Sequence, residues 1–288
     1  MKYYKPATFE EAIALVAGAE GVTRILAGGT DVLVQMRSDI ITPDTLIDIK
    51  AIPGTHEITR TEDGGWRLGI AVTGAEMSEH PELGRDWPGV VEAMDLIGST
   101  QVQGRATPVG NLCNGSPAAD SVPAMIAAGA VVTVTGPEGS REIAVDEIPV
   151  GPGKTSLAKG EIITALTLPP RGAQGGDAYL RFIPRTEMDI AVVGCAVNLR
   201  LNGDVITEAR MVLGAVAPTA VVVHAAADAL VGRTLDEDAL SALSDLAEAS
   251  CNPIDDKRGT IKFRTHTAGV LARRAAKIAY SRAKGAKA

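Results

Sequence analysis

Fourteen residues, Thr107-Pro108-Val109-Gly110-Asn111-Leu112-Cys113-Asn114-Gly115-Ser116-Pro117-Ala118-Ala119-Asp120, constrain this chain more than any other stretch. They read as a long loop rich in exposed backbone that runs into a helix starting near Asp120 and Ser121. Small residues, two asparagines and a closing aspartate suit a loop that presses its main chain against a ligand. Long irregular loops are uncommon inside compact domains, so this one needs a purpose. An Ω-loop packed on itself is the bland alternative.

A shorter loop of the same kind precedes it, Ile25-Leu26-Ala27-Gly28-Gly29-Thr30-Asp31, between a strand at Arg24–Leu26 and a helix from Val32 to Arg37. Two such loops, each feeding a helix N-terminus, suggest a pair of anion sites of the kind a dinucleotide diphosphate requires. In that reading the amides of Gly110 and Asn111 face the diphosphate and Thr107 and Ser116 add hydroxyls. Asp120 then accepts from sugar or ribityl hydroxyls. The first loop is neither G-x-G-x-x-G nor a Walker loop. Taken alone it is equally a strand-to-helix turn whose glycines relieve the backbone, with Thr30 or Asp31 as a simple N-cap.

Length and composition bound the rest. A chain of 288 residues favours two domains over one, and 45% hydrophobic with 22% charged residues is ordinary for a globular protein. With a formal charge of −7 and no basic stripe interleaved with aromatics, a nucleic-acid role has little support. Arg273, Arg274 and Lys277 read as a solvated helix face. No run approaches the roughly 18–20 apolar residues of a membrane span, and Met1-Lys2-Tyr3-Tyr4-Lys5-Pro6 lacks a signal-peptide core. Cys113, Cys195 and Cys251 are far apart and odd in number, so neither a disulfide framework nor a C-x-x-C cluster is expected. A reducing cytoplasm is the expected home.

Thr8 with Glu11 opens a helix over Phe9–Val16. Strands are expected at Thr45–Ile49, Trp66–Ile70, Ala130–Thr135 and Ile162–Leu168, and a short helix at Ser121–Gly129 with Pro123 early in it. Arg171–Asp177 is the best linker. Beyond it, Ile190–Leu199 and Val205–Thr207 flank Asn202-Gly203 as a hairpin, Met211–Val216 is read as a third strand, and helices follow at about 238–249 and 264–283. The second domain is therefore a small antiparallel sheet with helices.

Gly153-Lys154-Thr155 resembles the end of a P-loop, but its first glycine falls at Ile148 and prolines interrupt it. His56, His80, His224 and His266 sit in unrelated contexts and read as surface or structural residues, and no catalytic set or metal set assembles. A cofactor loop without an acid or base suits a protein whose cofactor carries the chemistry. Cys113 reads as a small buried filler. Arg181 and Arg185 are either solvated or turned toward a cofactor or a partner.

Together these residues form a recognisable pattern. The chain resembles the flavin-binding (medium) subunits of molybdenum hydroxylases, the group containing carbon monoxide, xanthine and nicotinate dehydrogenases. The resemblance runs nearly end to end, through Tyr4–Thr8, Leu26–Asp31, Gly110–Asp120, Met188–Val193 and Pro253–Gly259. It implies an α+β fold: a vanillyl-alcohol-oxidase (PCMH)-type FAD-binding domain over 1–173, with lobes of about 1–54 and 55–173, then a small carbon-monoxide-dehydrogenase-flavoprotein-like domain over 177–285. It further implies that Ile25, Leu26, Ala27, Gly28, Gly29, Thr30, Asp31 and Val32 line the first FAD loop. Thr107, Gly110, Asn111 and Asp120 would form the second, joined by the Ser116 hydroxyl of the residue reading. Ile97 would sit near the adenine, Ile163 near the flavin ring and Arg181 near the isoalloxazine edge.

The family usually places two glycines before the asparagine where this chain has Val109 and Gly110, so a shifted loop or looser FAD binding is expected. Gly-Gly-Thr-Asp is closer to the xanthine and nicotinate branch than to the Gly-Gly-His-Ser of carbon monoxide enzymes. Without an insertion of clustered cysteines, no extra iron–sulfur cluster of the 4-hydroxybenzoyl-CoA reductase kind is expected.

The implied partners are a large subunit with the molybdenum cofactor and a small subunit with [2Fe–2S] clusters, in a dimer of heterotrimers. The electron acceptor would be NAD+, a quinone or another molecule. A stand-alone flavin oxidoreductase, or a scaffold that has lost FAD, are the alternatives.

Overall fold

The computed structural model of the chain describes residues 1–185 and 187–285. The first lobe contains β1 (Lys2–Tyr4), α1 (Phe9–Gly18), β2 (Thr23–Leu26), α2 (Val32–Arg37) and β3 (Thr45–Asp48). Its sheet has the order β1-β3-β2 with both pairings parallel. Thr8 caps α1, accepting from the Glu11 amide at 3.2 Å, while the Glu11 carboxylate accepts from the Ala7 amide at 2.8 Å. Ala12 and Ile13 then turn the helix onto the core. Leu26 lies opposite Asp48 in the sheet, so the chain leaves β2 at the carboxyl edge, where parallel strands gather ligands.

The second lobe runs through β4 (Ile58–Arg60), β5 (Trp66–Gly69), α3 (Gly74–Glu79), α4 (Leu83–Asp86), α5 (Pro88–Asp95), α6 (Thr100–Gln103), α7 (Pro108–Asn114) and α8 (Ser121–Ala128). It continues with β6 (Val131–Gly136), β7 (Gly139–Ala144), the hairpin strands β8 (Pro149–Gly151) and β9 (Lys154–Thr155), and β10 (Ile162–Leu168). Its five-stranded sheet, β4-β5-β10-β6-β7, is antiparallel throughout. Leu68, Met77, Val90, Met94, Met125, Val132 and Leu166 are fully buried between that sheet and the helices. Each such side chain contributes roughly 1.5–3 kcal/mol.

The stretch expected to be an irregular loop contains a helix. Thr107 is the N-cap of α7, Pro108 occupies its first turn where a missing N–H costs nothing, and Gly115 ends it at φ 66°. Seven residues make barely two turns, too few to show a helical period in the sequence. Gly115 is pressed against the Gly153–Lys154 backbone, and its carbonyl accepts from the Gly153 amide at 2.9 Å.

The C-terminal domain holds β11 (Gly175–Phe182), β12 (Val193–Asn202), β13 (Val205–Gly214), β14 (Val221–Val222), α9 (Ala225–Leu230), α10 (Glu237–Ala249) and α11 (Ile261–Ala283). The strands form an antiparallel sheet in that order. The hairpin at Asn202-Gly203 is present, with Gly203 at φ 62°. Two expectations change. Met211–Gly214 is not a third strand but the second half of the ten-residue β13. The expected linker ends early, because β11 starts at Gly175 and Asp177 is buried, facing Arg171 at 3.2 Å. Gly176 tolerates no side chain, since a Cβ there would lie 2.0 Å from the Ala279 carbonyl on α11.

This domain is fastened to the second lobe. Tyr179, Ala196 and Val212 join the lobe's core. The last carbonyls of α8 are satisfied from the sheet: Arg210 donates to Ile126 at 3.0 Å and Asn198 to Ala127 at 3.1 Å. Among the described residues no helix is long and apolar enough to cross a membrane.

Candidate functional site

Between the two lobes lies an open cleft of about 570 Å³, within the roughly 300–1,000 Å³ of small-molecule sites. Ile25, Ala27, Gly28, Gly29, Thr30, Asp31 and Val32 line it from the first lobe, and Ile97, Thr107, Gly110, Asn111 and Ile163 from the second. The two turns that the sequence separates by some eighty residues meet here. A Cβ on Gly28 would sit 1.9 Å from the carbonyl oxygen of Arg105 and 3.2 Å from the Cα of Ala106. Only a glycine permits that approach. Gly29, at φ 77°, turns the chain into α2.

The amides of the first turn are unengaged. Among the described residues, the N–H groups of Ala27, Gly28, Gly29, Thr30 and Asp31 donate to no protein acceptor. Asp31 takes the N-cap position of α2 but makes no capping bond with its side chain, and burial raises its pKa. Successive free amides at the carboxyl edge of a sheet form a concavity suited to an anion.

The second turn behaves differently from the expectation. The Gly110 amide donates to Thr107 Oγ1 and the Asn111 amide to the Thr107 carbonyl, both at 2.9 Å, so neither is free for a diphosphate. What this turn offers is surface and side chains. Asn111 Oδ1 accepts from Ser121 Oγ at 2.7 Å, locking α7 to α8. Asn114 Oδ1 accepts from Gln35 Nε2 at 3.0 Å, joining the lobes along the cleft wall.

Four of the expected residues stand outside the lining: Leu26, Ser116, Asp120 and Arg181. Leu26 is buried in the lobe, and the Ser116 hydroxyl accepts from the Ala118 amide at 3.2 Å. Asp120 and Arg181 pair with each other, Arg181 Nη1 to Asp120 Oδ2 at 2.7 Å, and the Tyr179 hydroxyl donates to Asp120 Oδ1 at 2.9 Å. Burial pushes the Asp120 carboxyl up to about 6, although Arg181 and Tyr179 both favour its charged form. Arg181 Nε is buried without an acceptor among the described residues.

Cys113 is not a buried filler: its side chain is exposed to the cleft. The dense protein around the thiol nevertheless pushes its pKa up to about 12, so it stays protonated. The hairpin at Gly153-Lys154-Thr155 is no P-loop, yet Gly153 and Thr155 line the cleft. Asn114, from the fourteen-residue stretch, lines it as well, and so do Gln35, Ile70 and Ile162, which no sequence pattern marks because only packing brings their elements alongside. Three of the four histidines make side-chain contacts within the fold. His56 lies 3.2 Å from Glu76, His266 3.3 Å from Glu248, and His80 accepts from the Leu83 amide. Among the described residues no cluster of metal ligands occurs.

Comparison with known proteins gives this geometry its family. Residues 1–171 match the FAD binding domain in molybdopterin dehydrogenase, and residues 178–279 match the CO dehydrogenase flavoprotein C-terminal domain. The chain is 32% identical to the xanthine dehydrogenase FAD-binding subunit of Escherichia coli O157:H7, over 92% of this chain and 90% of that one. It is 31% identical to the carbon monoxide dehydrogenase medium chain of Hydrogenophaga pseudoflava, over 98% and 97%. A solved carbon monoxide dehydrogenase of the same organism, which lacks the Mo-pyranopterin moiety of its molybdenum cofactor, superposes with a TM-score of 0.94 at 32% identity, covering 98% of both chains.

The chain belongs to the FAD-binding medium subunits of the molybdopterin dehydrogenases. As such it is an oxidoreductase subunit, and its cofactor is FAD. The residues present fit that cofactor. Gly28 lets the two turns pack into one wall, the first turn has unengaged amides, and an apolar wall of Ile25, Ile97, Ile162 and Ile163 can take flat rings. Val109 lines the cleft, yet the residue is only 6% exposed and packs into the core beneath, so the cleft stays open.

Proposed function

We propose that this chain is the electron-transfer subunit of a cytoplasmic molybdenum hydroxylase complex. A large subunit would carry the molybdenum cofactor and oxidise the substrate, and a small subunit would bring electrons through [2Fe–2S] clusters, in a dimer of heterotrimers. An external acceptor such as NAD+ or a quinone would take the electrons away. The FAD, when bound, supplies a group stable in one- and two-electron forms, as a junction between clusters and acceptor requires.

The observation that carries the reading is the contact of Gly28 with the Arg105–Ala106 backbone, which makes one wall of two turns and leaves the first turn's amides pointing to no protein acceptor. Those amides of Gly28 to Asp31 would hold the diphosphate, with Thr107 and Asn111 on the facing side. Ile97 would flank the adenine and Ile163 the flavin ring, with Arg181 and Asp120 behind the lining. Among the described residues the ionisable side chains of the cleft wall are Arg24, Asp31 and the Cys113 thiol, the last kept protonated. On this reading the chain's own residues position and shield the cofactor.

The test is the spectrum of the purified chain together with native mass spectrometry of its complex. A flavin band and co-purification with a larger and a smaller subunit support the proposal. A yellow chain that isolates alone is a stand-alone flavoenzyme instead, and a colourless chain that takes up no added FAD is a scaffold.

A further inference from the structure

We propose that Tyr179, on the first strand of the C-terminal domain, is a positioning residue for the FAD site, acting through Asp120 on the second turn. The inference rests on the chain binding FAD in the cleft between its lobes. Tyr179 is 2% exposed, and its hydroxyl donates to Asp120 Oδ1 at 2.9 Å. The other carboxylate oxygen takes Arg181 Nη1 at 2.7 Å, so the C-terminal domain holds both oxygens of a residue that belongs to the FAD-binding domain.

Asp120 directly precedes Ser121, whose hydroxyl and amide both reach Asn111 Oδ1, at 2.7 and 3.4 Å. Asn111 lines the cleft. A short path of hydrogen bonds and one peptide unit thus runs from the buried phenol to the cofactor wall. Gly194 on β12 completes the arrangement: a Cβ there would lie 2.4 Å from the Tyr179 oxygen, so only glycine leaves the hydroxyl room to reach Asp120. The ionisable groups that face Asp120 are Arg181 and Tyr179 of β11, with Cys195 of β12 behind the phenol.

The removal of one hydroxyl separates positioning from packing, because Tyr179→Phe keeps the ring. FAD affinity of the full chain is read by quenching of flavin fluorescence from about pH 5 to pH 8, with thermal melts of the flavin-free variants alongside. Tyr179→Phe is expected to weaken FAD binding about fivefold to tenfold. It should also move the pH at which affinity declines upward, since the lost donor favoured the ionised carboxyl. Gly194→Ala, which displaces the same hydroxyl by another route, should move the profile in the same direction. Asp120→Asn should flatten it, and Tyr179→Phe added to Asp120→Asn should cost nothing further.

A Tyr179→Phe chain with the affinity and pH profile of the parent overturns the positioning role while leaving the flavin reading intact. So does a loss of the same size in the Asp120→Asn background. A parent chain that takes up no FAD overturns both.

Discussion

The two turns of the cleft look alike as strings of glycine, asparagine and threonine, yet they make opposite use of their backbones. From Gly28 to Asp31 the amides meet no protein acceptor, and the turn is held by the press of Gly28 against Arg105. From Gly110 to Asn114 the amides close a capped helix, and the contact with neighbours passes to the side chains of Asn111 and Asn114. Composition marks a stretch as backbone-rich. Which of its hydrogen bonds remain free depends on whether a cap closes them.

The contrast predicts unequal responses to substitution. Gly28→Ala should be the most damaging, because its methyl overlaps backbone atoms that cannot rotate away. A stability loss of at least about 3 kcal/mol and near-complete loss of bound flavin are expected, read from urea unfolding and the flavin absorbance of the purified chain. A yellow, equally stable Gly28→Ala chain would break the claim that the turns form one wall.

Asn111→Ala comes next, since it leaves the buried Ser121 hydroxyl and amide without their acceptor. A cost of about 1–3 kcal/mol is expected, with weaker FAD binding than in the parent chain. Thr107→Ala removes only the cap of α7 and should cost about 1 kcal/mol, whereas Thr107→Ser should keep most of it. If the Thr107 variant loses flavin as completely as the Gly28 variant, the second turn holds the diphosphate through its amides after all. Gln35→Ala should have the smallest effect on stability, below about 1 kcal/mol, and is better seen as faster flavin release in stopped flow.

The pH dependence sharpens the same comparison at the far end of the second turn. The Asp120 carboxyl is held near 6 in the folded chain, above its unfolded value of about 4. Its contribution to stability is therefore fully present below about pH 4 and is lost as pH rises through about 6, because the folded state binds the proton more tightly over that window. Urea unfolding of the parent chain against Asp120→Asn should diverge over this interval and run parallel above it.

Much of the architecture was legible. The helix at Val32–Arg37, the hairpin at Asn202-Gly203 and the cap at Thr8 rest on bonds between residues close in sequence, and the strand at Arg24–Leu26 is marked by the glycine turn that follows it. The misreadings share one cause. Helix α7 is too short to display a period, and β11 opens on two glycines because α11 lies directly over Gly176, a reason no neighbour in sequence reveals. Cys113 reads as filler from its neighbours in sequence, none of which says that its helix face borders a cleft.

By itself, then, the chain specified its local turns, its capped helices and the ordered signature of its family, since each depends on contacts a few residues apart. Tertiary structure alone decided which amides stay unengaged, that Gly28 would meet Arg105, and that Tyr179 would find Asp120 from 59 positions away. Those choices belong to packing, where the shape of one element sets the bonds open to another.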